Sequence, residues 1–190
     1  MSLDNLGCRE LDVAPNEALK LFQLGAATAP SPLSRALVEY HCALALGLGG
    51  LAEQALAALR RARDTYQAAS DEPRPWKHFA TALPHIAGLT HLALGRFDRA
   101  AVAFAATGDG PSHTATCTIY HLSYLATAQL RCGELRSGLL TATRAIGLAK
   151  RLRSVSVRHN LGTRRVRIWL ASWRRCAVRR DSGRPPGRHG

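Results

Sequence analysis

The sequence is poor in the residues that build sheets. Valine and isoleucine together supply 11 of the 190 residues, against 60 for alanine and leucine. β-branched side chains favour strands, whereas Ala and Leu favour helices, so a sandwich, a barrel or a parallel sheet is not expected. Cysteine is also scarce. The five thiols, Cys8, Cys42, Cys117, Cys132 and Cys176, are never closer than 15 residues. Without a CxxC there is no zinc ribbon, thioredoxin motif or haem attachment site. Most of the thiols stand among apolar helical residues, where Cys acts as a small hydrophobe, which fits a reducing, cytoplasmic setting. Long apolar runs are missing too. The longest uncharged apolar stretch, Cys42 to Ala52, is too short to span a bilayer. The first ten residues carry two acids and no apolar segment of signal-peptide length. What remains is a chain long enough to bury a core without disulfides or metal.

Acidic residues are scarce relative to basic ones in one region, the end of the chain. The formal net charge is +13, yet residues 1–150 hold 14 Lys and Arg against 12 Asp and Glu. Residues 151–190 hold 12 Arg and one acid. The basic character therefore belongs to the last fifth of the chain.

Catalytic and metal signatures are lacking. The eight histidines, His41, His78, His85, His91, His113, His121, His159 and His189, form no HxxxH or HExxH. His85 and His91 fall on different faces of a helix, and surface or groove histidines are expected. Gly47, Gly49 and Gly50 precede no GK[ST] and follow no strand, so they read as a helix stop and a turn. GxSxG does not occur. Asp71 and Glu72 are adjacent carboxylates in a proline-rich loop, with no apolar pocket to separate their pKa values. The expectation is a non-enzymatic protein with no catalytic residue, cofactor or metal ligand.

The body is a succession of Ala-rich helical segments. Helices are expected at 16–27, entered through Pro15; from Ser31-Pro32 to Leu48; and from Ala52 to Ala69. Others are expected at 76–94, restarting or kinking near Pro84; at 97–106; at 114–131; and at 135–150. SDEPRP (70–75) and TGDGPSH (107–113) are loops. Three helix–Gly–helix hairpins follow one another, turning at Gly50, Gly95 and Gly133. Five residues after these glycines stand Ala55, Ala100 and Gly138, and seven before them stand Ala43, Gly88 and Ala126. All six are small, which lets antiparallel helices approach closely. Nine after the turns stand Leu59, Phe104 and Ala142, and twelve after them Ala62, Thr107 and Ala145. Ala18, Phe22, Gly25 and Pro30 show the spacing of a second hairpin helix alone.

This pattern resembles the tetratricopeptide repeat, most closely in GLTHLALGRFDRAAVAF and ALALGLGGLAEQALAALRRA. The turn glycines are 45 and 38 residues apart. A longer resemblance covers roughly residues 30–160. APSPLSRALVEYHCALAL, DEPRPWKHF, GRFDRAAVAF and the stretch ending LAKRLRSVSVR resemble the C-terminal helical-repeat region of actinobacterial helix-turn-helix regulators of the xenobiotic-response-element type. Those regulators carry an N-terminal DNA-binding helix-turn-helix, for which the residues before the first helix are too few. The expected fold is all-α, a right-handed superhelical stack of hairpins. Residues 1–15 form a flexible N-terminus, 16–153 the repeats, 154–180 a basic terminal or capping helix, and 181–190 a disordered tail.

In tetratricopeptide proteins the first helix of each hairpin lines a concave face. The resemblance thus implies a peptide-binding groove at Tyr40, Leu44, His85, Leu89, Tyr120, Ser123, Thr127 and Arg131. The implied partner is a peptide, a protein segment or a second copy, and the implied role is the sensor or scaffold part of a transcriptional regulator. The resemblance stops near residue 160. Beyond it, Val166, Trp169, Leu170, Trp173 and Ala177 make one helical stripe, with Arg164, Arg167, Arg174 and Arg175 off it. The stripe suits a helix capping the last hairpin. The arginines suit an anionic partner, so weak, non-specific nucleic-acid binding is the alternative function. A third reading is a remnant with no independent role. A change of reading frame in a GC-rich gene would also yield such an Arg-, Pro- and Gly-rich end.

Overall fold

Local chemistry sets where helices begin and stop. The computed structural model describes residues 10–11, 13–69, 79–108 and 115–152. Seven helices lie there: α1 (Pro15–Ala27), α2 (Pro32–Leu48), α3 (Ala52–Ala68), α4 (Phe79–Ala93), α5 (Phe97–Ala105), α6 (Ala115–Cys132) and α7 (Leu135–Leu152). No strand occurs among the described residues, so the fold is all-α. Ser31 caps α2, its hydroxyl accepting the Ser34 N–H at 3.2 Å, with Pro32 in the first turn. α4 is continuous through Pro84, so the helix does not restart there. Pro84 stands early in the helix and removes a single N–H, and the packing of the helix outweighs that one lost bond.

The three hairpin turns close in one way. Gly50, Gly95 and Gly133 have φ of 79°, 71° and 94°, a left-handed conformation that glycine adopts without strain. The residue after each glycine donates its N–H five residues back: Leu51 to Leu46, Arg96 to His91 and Glu134 to Gln129, each at 2.9 Å. Each glycine N–H reaches three back, to Gly47, Leu92 and Leu130. This is the Schellman closure. The same residues, Leu51, Arg96 and Glu134, then accept the first bond of the next helix, from Ala55, Ala100 and Gly138. The small +5 residue therefore sits in the first turn of the returning helix.

Each turn joins a packed pair, α2 with α3, α4 with α5 and α6 with α7. Between pairs, α1 packs on α2, α2 on α4 and α5 on α6, while α4 barely touches α6. Small residues are buried where expected: Ala43, Ala55 and Ala100 at 0% exposure, with Gly88, Ala126 and Gly138 also buried. The closest glycine contacts, however, lie one turn from the expected partners. A Cβ on Gly88 would meet the Phe104 ring at 2.7 Å, four residues beyond Ala100. A Cβ on Gly138 would meet Leu130 Cγ at 2.6 Å, four residues beyond Ala126. Large side chains, rather than small ones, fill the opposite wall of these crossings.

The junctions between pairs follow a second rule. Where that position is aromatic, the residue nine after a turn stacks on the residue nine before the next turn. Phe104 stacks on Tyr124 with centroids 6.0 Å apart and an interplanar angle of 15°. On α1, Phe22 holds the equivalent place and stacks on His41 at 5.2 Å and 16°. At the middle junction Leu59 and Ile86 occupy these positions and lie in one buried cluster. Polar bonds pin the pairs: Thr65 donates to Glu39 at 2.9 Å across α2 and α3, and Thr141 to Gln129 at 2.8 Å across α6 and α7.

Three Gly→Ala variants should separate packing from helix propensity. Ala gains about 1 kcal/mol over Gly inside a helix. Gly147 has no atom near its would-be Cβ, so Gly147→Ala should stabilise by about 0.5–1 kcal/mol. Gly138→Ala meets Leu130 at its Cγ, 2.6 Å, and at its backbone N, 3.0 Å, so it should cancel that gain and lose up to about 1 kcal/mol. Gly88→Ala meets the fully buried Phe104 ring and should lose about 1–2 kcal/mol. Urea denaturation reads the order directly; equal effects at the three sites would contradict these contacts.

Candidate functional site

A buried polar cluster forms where α4, α5 and α6 meet. Phe104 is fully buried, and three side chains surround its ring. His85 and His121 meet it edge-on, with centroids 5.4 and 5.8 Å away, and Tyr124 stacks on it. His121 is 0% exposed, and its Nδ1 lies 3.1 Å from Nδ1 of His85. Thr107, 5% exposed, donates its hydroxyl proton to the Phe104 carbonyl at 2.6 Å. Having one proton, that hydroxyl can only accept from His121, whose Nε2 is 3.0 Å away. With the proton on Nε2, the nearer nitrogen (Nδ1 is 3.3 Å from the hydroxyl), His121 accepts through Nδ1 and His85 donates from its own Nδ1. The chain of bonds runs His85 to His121 to Thr107 to the Phe104 carbonyl, and each bond fixes the direction of the next.

His85 is neutral in this arrangement. Burial pushes His85 down to about 4, and the neighbouring His121 pushes in the same direction. The cluster can hold helices together, but it is a poor site for chemistry. No carboxylate bonds either imidazole in the described contacts, and His121 offers substrate no accessible surface. No group of three or more His, Cys, Asp or Glu able to hold a metal occurs among the described residues.

The expected groove residues divide into two sets. Tyr40 and Leu44 are 7% and 6% exposed and belong to the main core cluster, so they leave almost no surface to a ligand. Burial raises the Tyr40 pKa, and a hydrogen bond from Arg63 opposes the rise. His85 is engaged with His121. Leu89, Tyr120, Ser123 and Thr127 are half-buried, and Arg131 is exposed. Tyr120, Ser123, Thr127 and Arg131 follow one another at helical spacing along α6. Ser123 and Thr127 donate to the carbonyls of Ile119 and Ser123 on their own helix. The Arg131 guanidinium lies 4.8 Å from the Phe97 ring centroid, tying the end of α6 to the start of α5.

His121 is thus neither a surface nor a groove residue, contrary to the expectation for the histidines. One signal for it was present in the sequence. Thr107 stands where the other two hairpins have Ala62 and Ala145. A hydroxyl at a buried alanine position needs a partner, and His121 supplies it. Arg164, Arg167, Arg174 and Arg175, the Trp stripe and the capping helix fall outside the described residues. Comparison with family models, with curated proteins and with solved structures gives no match.

The imidazole pair makes stability depend on pH. His85 is held well below its usual value, so the folded state resists a proton that the unfolded chain takes up near 6.5. Stability is full above pH 6.5, falls as pH drops toward 4 and levels off below. The His85 contribution is about 3 kcal/mol across that window. His91 is depressed by burial and by Arg96, Arg99 and Arg63, and it acts in the same direction. His85→Gln keeps a donor for His121 and removes the titrating ring. Its melting temperature should therefore fall less between pH 7 and pH 4.5 than that of the parent chain, and superimposable profiles would contradict a neutral buried His85.

Proposed function

We propose that this chain is a non-enzymatic repeat module that binds a peptide or protein segment, and that it serves as the sensor or scaffold part of a transcriptional regulator. The observation that supports this best is the recurrence of one construction. Three helix pairs share the same glycine closure and the same buried small residue after it, and successive pairs use the same +9 and −9 positions. Repetition of one pair is how solenoid proteins present an extended surface. It is also what the resemblance to tetratricopeptide proteins implies, down to a superhelical stack.

The groove of this reading narrows to Leu89, Tyr120, Ser123, Thr127 and Arg131. A tyrosine with an apolar ring and a polar end, beside hydroxyl oxygens able to accept further bonds, suits an extended peptide. The partner is a peptide or a protein segment, held without covalent chemistry.

Panning a random-peptide display library against the full chain, and titrating the selected peptide in two-dimensional amide NMR, tests the reading. Shifts should centre on Tyr120, Ser123, Thr127 and Leu89. Tyr120→Ala should weaken binding about tenfold, the loss expected from an aromatic contact of about 1.4 kcal/mol. Shifts confined to α3 and α5, or a Tyr120→Ala variant that binds unchanged, would overturn the groove.

A further inference from the structure

Among the described residues, the α6–α7 pair leaves exposed the face that the earlier pairs bury. On α1 and α5 the residue at +9 is aromatic and stacks on the helix that follows, Phe22 on His41 and Phe104 on Tyr124, and on α3 it is Leu59, buried in the core cluster that holds Ile86. On α7 the same position is Ala142. Around it, Leu135, Leu139 and Ile146 are 63%, 62% and 55% exposed. With Ala142 they recur at i, i+4, i+7 and i+11, one stripe about 16 Å long. An exposed apolar stripe of this length marks an interaction surface. Its register marks the kind of partner, because in the earlier junctions an α-helix occupies this face.

Apolar burial is common to any helix laid there, so charge decides among occupants. α7 carries Arg136, Arg144, Lys150 and Arg151 and no acid. By helical spacing Arg136 and Lys150 border the stripe on its solvent side, and both are exposed. A second copy would bring the same two cations to the edge of the contact. Residues 153–190 have the same sign, with 11 Arg and one acid. An acid-flanked helix is attracted where these are repelled.

We infer that the Leu135–Leu139–Ala142–Ile146 face of α7 is a docking site for an amphipathic helix of another protein. That helix lays a bulky apolar side chain over Ala142 and carries Asp or Glu opposite Arg136 and Lys150. This rests on the reading of the chain as a binding module, but on a surface separate from the α4 and α6 residues of the groove.

The test uses the full chain and two synthetic helical peptides. Both carry Leu at i, i+4 and i+11 and Phe at i+7. One is flanked by Glu, the other by Lys. The Glu peptide should bind at least about tenfold more tightly than the Lys peptide. Leu139→Gln with Ile146→Gln, two exposed substitutions, should abolish that binding. Arg136→Glu with Lys150→Glu should invert the preference. Equal affinity for the two peptides, or no binding of either, overturns the proposal. So does Glu-peptide binding that survives Leu139→Gln/Ile146→Gln, because the acids would then be held elsewhere. A dimer in sedimentation that the same double variant dissolves would give the face to a second copy. A Leu139→Cys thiol that resists alkylation in the free chain, read by site-resolved mass spectrometry, would give it to the chain's own residues. Either result overturns the inference. Tyr120→Ala should leave the Glu-peptide affinity unchanged. If it alone abolished binding, the peptide would sit in the groove, and the α7 site would fail while the module reading stood.

Discussion

The Phe104 ring is the contact on which the middle of this molecule depends. It presses on Gly88 of α4, stacks on Tyr124 of α6 and receives the edges of His85 and His121. Its own carbonyl anchors Thr107, which holds His121 in turn. One side chain thus sets the α4–α5 spacing, the α5–α6 junction and the polarity of the only described histidine pair joined by a hydrogen bond. The small residue at 88 and the large one at 104 are two halves of a single packing decision. Neither has a reason without the other.

That decision explains why the junctions are not alike. Where an aromatic stands at +9, on α1 and α5, the second helix of one pair packs directly on the first helix of the next. Where Leu59 stands instead, the larger interface runs between α2 and α4, two first helices. A planar ring stacks on another ring and holds two helices face to face, whereas a branched aliphatic side chain fills a corner among several neighbours. Ala43, Leu44, Ala55, Leu59, Leu83 and Ile86 all share that corner. The array is therefore regular in its turns and variable in its joints.

The turns were legible in advance because their cause is local. A glycine after an apolar helical run needs no long-range information to adopt positive φ, and Gly50, Gly95 and Gly133 all do so. The Ser31-Pro32 start was legible for the same reason. Partners across crossings were not, because the −7 and +5 spacings say that helices come close without saying which side chain fills the wall. Phe104 and Leu130 do so, each one turn from the small residue expected there. The groove residues suffered most. An offset carried from a resemblance places a residue on the first helix of a hairpin, but the tilt of the next pair decides whether that position faces solvent. At Tyr40 and Leu44, α4 packs on α2 and the surrounding core closes over them. On α6, which has no further described pair beyond its own partner, Tyr120, Ser123 and Thr127 keep part of their surface.

The same asymmetry bears on the proposed binding role. Where an aromatic ring fills a junction, at Phe22–His41 and Phe104–Tyr124, the two helices have little freedom to rearrange around a ligand. Recognition is then confined to surfaces the joints do not use. The third hairpin supplies them for the very reason that it departs from the pattern of the others. Ala142 replaces the knob, and leucine and isoleucine remain exposed beside it. α7 also turns a cationic edge to solvent, whereas residues 1–150 as a whole are nearly balanced. Departure from the repeat at one end concentrates apolar surface and charge of one sign on a single helix, and a binding surface needs both: burial for affinity and charge for choice of partner.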